Sequence, residues 1–258
     1  MEQVNVIKIG GSTLGSEDST LDDLVALQRQ GRLCVVVHGG GKVITDWLGK
    51  MGAGTTFIQG ERVTDQATLG VVAAVLAGLV NKEIVAALVC RGGKAAGLSG
   101  VDGGTVRGKI KDEKMGFLGT PVQVDTTLIR NLLAAGYIPV VAPISLNDGL
   151  PASGPQILNI NADTVAAAIA AALESPELIF LTDVDGIRGA DGKILPRLSS
   201  DAARELIASG VASGGMVPKI NACLRAASRN VAARIVDGRQ PHALRQCVEG
   251  QGGGTVIK

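Results

Sequence analysis

The sequence predicts an α/β fold, an open αβα sandwich around a mostly parallel central sheet, and three observations lead there. Short β-branched runs alternate with longer helical patterns, several of the runs stop abruptly at glycines, and no Ser/Pro-rich linker divides the 258 residues. Strands buried on both faces of a parallel sheet read as such short apolar runs.

Val4–Ile9 is the first run, closing at Gly10-Gly11, and 33–37 is the second, closing at the triple glycine 39–41. Further strands are expected at 137–142, 178–181 and 232–236. Helical patterns separate them at 21–30, 43–51, 67–88, 127–135, Ala162–Leu173, 202–208 and 220–229. Two stretches, 104–124 and 186–198, break the rhythm with glycines, short β runs and an Asp-Gly turn, and are expected to be hairpins inserted at the sheet's edge. Glu174-Ser175-Pro176 ends one helix, so the boundary between two lobes sharing one continuous sheet is placed there, at 1–175 and 176–258.

Composition narrows the function classes. With 46% apolar and 19% charged residues the chain is globular rather than disordered. Its longest apolar runs, 71–80 and 165–173, fall short of the roughly 20 residues of a bilayer span, so no membrane association is expected. Met1-Glu-Gln-Val-Asn5 lacks a basic segment leading into an apolar signal region, and the expected location is cytoplasmic. Lys and Arg (25) balance Asp and Glu (24), and only three Phe, one Trp and one Tyr are present, which argues against nucleic acid as a partner. Cys34, Cys90, Cys223 and Cys247 form no Cys-x-x-Cys pair and are expected to be buried, reduced thiols.

Glycine is abundant, 36 of 258, and clusters between strands and helices. Ile7-Lys8-Ile9-Gly10-Gly11-Ser12 carries a lysine into a glycine pair at the carboxyl end of a strand, where open α/β sheets bind ligands. By itself it reads equally well as a solvated lysine before an ordinary turn. Val35-Val36-Val37-His38-Gly39-Gly40-Gly41-Lys42 is stronger, since amides at a helix start can converge on phosphate or carboxylate. It fails the P-loop pattern at Val43, and without a Gly-x-Ser-x-Gly elbow an esterase reading is weak. His38 reads as a residue that orients the loop. Gly60-Glu61-Arg62-Val63-Thr64-Asp65 places an arginine before a helix that Thr64 or Asp65 can cap, and offers either surface charge or a carboxylate fork.

Leu158-Asn159-Ile160-Asn161-Ala162-Asp163 crowds two amides and a carboxylate at one helix start, more than capping requires, with Asn159 and Asn161 on one side of an extended lead-in. Leu181-Thr182-Asp183-Val184-Asp185-Gly186 is either a turn or a nucleotide-contacting turn; as a calcium loop it fails at Ile187 and Ile194. Gly214-Gly215-Met216-Val217-Pro218-Lys219 sets a second lysine at a helix start, where an anion nearby would be favoured. Two lysines, glycine amides, an organising carboxylate and an arginine, with no conspicuous base, suit phosphoryl transfer to an acceptor that is already anionic. A carboxylate with an ordinary pKa of about 4.3 needs no deprotonation.

With these segments, Asn81-Lys82, Gly97-Leu-Ser-Gly100, Asp102-Gly103-Gly104 and Gly116-Phe-Leu-Gly119, the sequence resembles the amino acid kinase family essentially end to end. Arg62-Val-Thr-Asp65 and Asn159-Ile-Asn161-Ala-Asp163 are similar to its N-acetylglutamate-phosphorylating branch. The resemblance implies ATP, carried with Mg2+, as phosphoryl donor and N-acetyl-L-glutamate as acceptor. Lys8, Lys219 and Asp163 would be catalytic, Asp163 holding both lysines. Gly11, Gly40, Gly41, Arg62, Asn159 and Asn161 would bind the acceptor and the transferring group. Gly10, Thr182, Asp183, Val184, Asp185, Gly186, Ile187, Arg188, Val211, Ala212 and Ser213 would bind ATP. The resemblance also gives the lobe at 1–175 to acceptor binding and dimerisation and the lobe at 176–258 to ATP. No metal-ligating residue is expected, magnesium being held by ATP oxygens and water. Seven residues before Lys8 point to an arginine-insensitive homodimer, whereas the tail from Val236-Asp-Gly238 resembles arginine-sensitive members, so regulation stays open. The rival readings are a kinase of a carrier-linked aminoadipate or glutamate and a catalytically silent nucleotide- or effector-binding member.

Overall fold

The computed structural model describes residues 3–10, 19–149 and 154–258. From the amino end the chain runs through β1 (Val4–Ile9), α1 (Thr20–Arg29), β2 (Leu33–His38), α2 (Gly41–Lys50), the short β3 (Phe57–Ile58) and β4 (Glu61–Arg62), α3 (Gln66–Ala73), a π-helical segment Ala74–Val80 and α4 (Asn81–Cys90). Next come β5 (Ala95–Ser99), β6 (Val106–Ile110), β7 (Leu118–Val124), α5 (Thr127–Ala134), β8 (Ile138–Ala142), β9 (Ile144–Asn147) and β10 (Ile157–Ile160). The remainder is α6 (Ala162–Leu173), β11 (Glu177–Thr182), β12 (Arg197–Leu198), α7 (Ser200–Ala208), α8 (Met216–Ala227), β13 (Ala232–Asp237), α9 (Ala243–Val248) and β14 (Thr255–Ile257).

The main sheet has the strand order β12-β14-β13-β11-β1-β2-β8-β5. All its neighbours are parallel except β13 and β14. Alternation along β1 divides its side chains between two apolar layers. Val4 and Val6 join the layer containing Val165, Ile169 and Ala222, and Ile7 and Ile9 the layer containing Leu24, Ile84 and Leu244. Phe180, Ile7, Ile9, Leu24 and Leu27 are all fully buried, each contributing about 1.5–3 kcal/mol relative to exposure. By the same alternation Lys8 lies on the α6 side of the sheet, at the end where the strands stop.

The five expected strands and seven helical patterns are all present, some with ends shifted by a few residues. Two expectations need correction. Residues 104–124 do contain an antiparallel pair, β6 with β7, but it is no edge insertion. It joins β9 and β10 in a separate closed four-stranded barrel. Gly108 and Gly119 allow the barrel to close, since a Cβ would stand 3.0 Å from the Thr120 carbonyl oxygen or 2.8 Å from Leu158 Cδ1. The extended lead-in at 158–160 is β10, parallel to β7. The 186–198 stretch behaves as expected: Arg188 bridges Ile194 and β12 lies at the sheet's edge.

The second correction concerns the expectation that no apolar stretch reaches the length of a bilayer span; the helix expected at 67–88 is present. It runs unbroken from Gln66 to Cys90 and is long and apolar enough, by length and composition, to cross a membrane. Leu69, Val72, Val75, Leu76, Val80, Ile84 and Leu88 are nevertheless buried within the fold.

Candidate functional site

At the carboxyl end of β1, Lys8 Nζ lies 2.7 Å from Asp163 Oδ1, and Lys219 Nζ, from the first turn of α8, lies 3.3 Å from Asp163 Oδ2. Asp163 stands in the first turn of α6, where the helix dipole favours an anion. Asn161 caps that helix by accepting the Asp163 N–H at 2.8 Å. Burial pushes the Asp163 carboxyl up, but the two lysines outweigh it and hold the group below its ordinary value. One ionised carboxylate therefore fixes two cations arriving from opposite parts of the chain.

This trio lines a cavity of about 300 Å³ together with Gly39, Gly40, Gly41, Arg62, Asn159 and Asn161. Gly40 and Gly41 open α2, whose first amides have no intrahelical acceptor. Gly40 also admits the π-helical segment, because a Cβ there would come within 2.7 Å of Leu76 Cδ2. The Gly10 amide faces elsewhere and donates to the Leu181 carbonyl at 3.3 Å. Gly11 lies outside the described residues.

Arg62 Nη2 donates to the Gly41 carbonyl (2.9 Å) and to Thr45 Oγ1 (2.8 Å), while its guanidinium rests 4.7 Å from the Phe57 ring centroid. Its Nη1 is buried without a hydrogen-bond partner among the described residues, an orphan donor of the kind folded proteins rarely leave unused. Asn159 Nδ2 donates to Thr64 Oγ1 at 3.0 Å, and no hydrogen bond to its Oδ1 is made among the described residues. Asp65, rather than Thr64, caps α3, accepting from the Thr68 amide. Glu61 pairs with Lys111 at the rim of this cavity.

His38 is fully buried, with Nδ1 2.9 Å from the Gly39 carbonyl and Nε2 3.2 Å from Asn81 Nδ2. Those partners fit one neutral tautomer, Nδ1–H donating and Nε2 accepting from the amide. Burial, with help from the Lys8 and Lys82 charges, lowers its pKa to about 4. His38 thus orients the loop, as its sequence context suggested. Asn81, whose amide also donates to the Val140 carbonyl at 2.9 Å, is the partner that spacing did not reveal. The segment Asn81-Lys82 was visible as a motif, but its role depends on a contact across 43 positions.

A second cavity, about 580 Å³, is lined by Asp183, Val184, Asp185, Gly186, Ile187, Arg188, Val211, Ala212 and Ser213, and also by Met216, Asp237, Arg239 and Gln240. Thr182 is buried just beneath it, its hydroxyl accepting from the Val184 amide at 3.1 Å. The last four lining residues were not singled out from sequence. Val236-Asp237-Gly238 repeats the strand–Asp–Gly pattern of 181–186 and could have marked Asp237. The amino-terminal turn of α8 joins the two cavities, with Met216 on the second and Pro218 and Lys219 on the first.

Among the described residues no group of three His, Cys, Asp or Glu side chains is placed to hold a metal ion. Both oxygens of Asp163 face lysines, so the described residues of the site offer no cage for magnesium. Three cysteines are buried as expected; Cys90, at the end of α4, is exposed.

The amino acid kinase family profile matches residues 3–237. A protein named acetylglutamate kinase from Dehalococcoides mccartyi is 51% identical over 253 residues, covering 97% of this chain and 93% of its own. One of the same name from Cereibacter sphaeroides is 42% identical over 260 residues, covering 99% and 87%. The crystal structure of smu.665 from Streptococcus mutans superposes with a TM-score of 0.84 at 27% identity, over 100% of this chain and 99% of that one. Fold, paired lysines and sequence agree: the chain belongs to the amino acid kinase family.

Proposed function

We propose that the protein transfers the γ-phosphoryl group of ATP to the side-chain carboxylate of N-acetyl-L-glutamate, giving N-acetyl-L-glutamyl 5-phosphate and ADP, a step of arginine biosynthesis. The observation that carries this reading is Asp163 held between Lys8 and Lys219 in the smaller cavity, with the larger cavity reached along the same turn of α8 at Met216. The names and identities of the relatives support the choice of acceptor.

The acceptor occupies the smaller cavity. Its side-chain carboxylate is ionised at pH 7 and needs no base, in keeping with a His38 that is neutral and occupied on both nitrogens. The orphan Nη1 of Arg62 takes the α-carboxylate, and Asn159 Oδ1 accepts from the acetamido N–H. A carboxylate oxygen forms the new bond to phosphorus as the bond to the β,γ-bridging oxygen breaks, its electron pair leaving with ADP. Lys8 and the Gly40 and Gly41 amides neutralise the transferring group from the acceptor side, and Lys219 does so from the nucleotide side. Asn161 contributes by fixing Asp163. The nucleoside occupies the larger cavity. Magnesium arrives as the counter-ion of ATP, and no protein ligand is assigned to it.

Trapping of acyl phosphate by hydroxylamine, with Mg-ATP and N-acetylglutamate, glutamate, aspartate or N-acetylaminoadipate offered separately, tests the assignment. Product is expected with N-acetylglutamate alone; equal product from another acceptor, or none from any, overturns it. Arg62→Ala is expected to raise the KM for N-acetylglutamate at least ten-fold with a smaller change in kcat, and Arg62→Lys to restore little, because the fork geometry is lost. Steady-state kinetics with the acceptor varied would show whether the loss falls on kcat instead.

We place this activity in a cytoplasmic homodimer divided into an acceptor lobe, 1–175, and a nucleotide lobe, 176–258. The outward side of Gln66–Cys90 supports pairing: Gly70, Ala74 and Gly78 are exposed there, followed by Leu79 and Val89. A second copy covers such a face well. Light scattering in solution should give twice the chain mass; the mass of one chain would rule the dimer out.

A further inference from the structure

The larger cavity contains a charge pair whose geometry is more organised than a surface ion pair requires. Asp237, at the carboxyl end of β13, is 6% exposed. Its Oδ1 receives the Arg239 backbone N–H at 3.0 Å and Arg239 Nε at 2.8 Å, and its Oδ2 receives Arg239 Nη2 at 2.9 Å. Three donors from one residue on one carboxylate hold the guanidinium in a single plane. The Arg239 side chain remains 59% exposed, and such a pair contributes little to stability. Its Nη1 makes no hydrogen bond to the described residues, and no aromatic ring among them lies over its face.

The surroundings indicate what that face is for. Asp183, Asp185 and Asp237 outnumber Arg188 and Arg239 in the lining, so the cavity disfavours phosphate and favours a neutral nucleoside. Val184, Ile187, Val211, Ala212 and Met216 supply an apolar wall, yet no Phe, Tyr or Trp is present to stack a base. Two guanidinium groups are the flat surfaces available. Arg188 is tied to Asp185 and to the Gly192 carbonyl of a neighbouring turn, whereas Arg239 is locked to the buried end of a sheet strand. We propose that Arg239, held flat by Asp237, is the surface on which the nucleobase packs, and that this pair sets a preference for purine over pyrimidine nucleotides. Stacking on a guanidinium plane scales with the overlapping π surface, which is larger for a purine. This inference rests on reading the larger cavity as the nucleotide site.

The test is calorimetric titration of the full chain with ADP and with CDP, which requires no acceptor and no turnover. The unmodified chain should prefer ADP. Arg239→Ala should weaken ADP about ten-fold and CDP by no more than two-fold, collapsing the preference. Arg239→Lys should fail to restore it, lacking the plane. Asp237→Asn should act in the same direction, since Asp237 is a positioning residue; a merely structural role would weaken both nucleotides alike. Arg188→Ala should leave the preference intact. If the unmodified chain prefers ADP and Arg239→Ala keeps that preference, or if Arg188→Ala abolishes it, the proposal is wrong while the nucleotide site stands. If the unmodified chain binds neither nucleotide, both fall.

Discussion

Lys8→Ala is expected to lower the rate of acyl phosphate formation by about a thousand-fold while leaving the chain folded. Lys8 is 7% exposed on the central strand beside Asp163, and in the proposed reaction its ammonium would reach the transferring group from the acceptor side. Removing one preorganised charge donor from a water-poor site commonly costs 10²–10³ in turnover. The fold should survive because Asp163 is not left uncompensated: Lys219 still faces its second oxygen at 3.3 Å. Hydroxylamine trapping gives the rate, and thermal unfolding followed by circular dichroism gives the stability. Turnover within ten-fold of normal in a folded Lys8→Ala chain would remove Lys8 from the mechanism.

Acidification from pH 7 toward pH 4 is expected to cost the fold about 3 kcal/mol through His38 alone. In the unfolded chain this imidazole titrates near 6.5, and in the folded one burial lowers it to about 4. Between those values the unfolded chain binds a proton that the folded chain refuses, so stability rises with pH across the window and levels off above it. The geometry explains the sign, since a proton on Nε2 would face the donating amide of Asn81. Urea unfolding at intervals from pH 4.5 to 7.5 measures the slope. Burial also raises the Glu177 carboxyl, so His38 is not the sole source of a pH slope. The informative quantity is therefore the difference between the native chain and His38→Gln, whose curve should be flatter. Parallel curves would mean that His38 takes up its proton as readily in the folded chain as in the unfolded one.

Much of the fold could be read from local pattern because each buried parallel strand announces itself by a few β-branched residues and a glycine stop. β1 and α6 came through with their exact ends. β5 did not, because Ala95-Ala-Gly-Leu-Ser99 has too little apolar bulk to stand out, and its strand character comes from pairing with β8. The barrel escaped for a related reason. β7 pairs with β10 across some 40 positions, and no local signal encodes that contact. The charged trio of the candidate site was legible because two lysines and a carboxylate beside glycines are unusual residues for those places. Thr64 and Asn81 were harder, since a buried hydroxyl or amide acquires its meaning only from a distant partner.

The position of β1 also bears on how the chain reaches this state. It lies between β2, which begins at Leu33, and β11, which begins at Glu177, and Ser175 Oγ donates to the Val4 carbonyl at 2.7 Å. One edge of β1 can therefore be covered early in synthesis, while the other stays open until more than two thirds of the chain has been made. Its partner across that edge follows directly on the helix that carries Asp163, so sheet closure and delivery of the carboxylate to Lys8 belong to the same late event. Long-range parallel pairing of this kind folds slowly and leaves an unpaired strand edge exposed while it waits. Assembly of the charged trio is thereby tied to the late part of the molecule, and a nascent chain that stops short of α6 has no carboxylate to match Lys8.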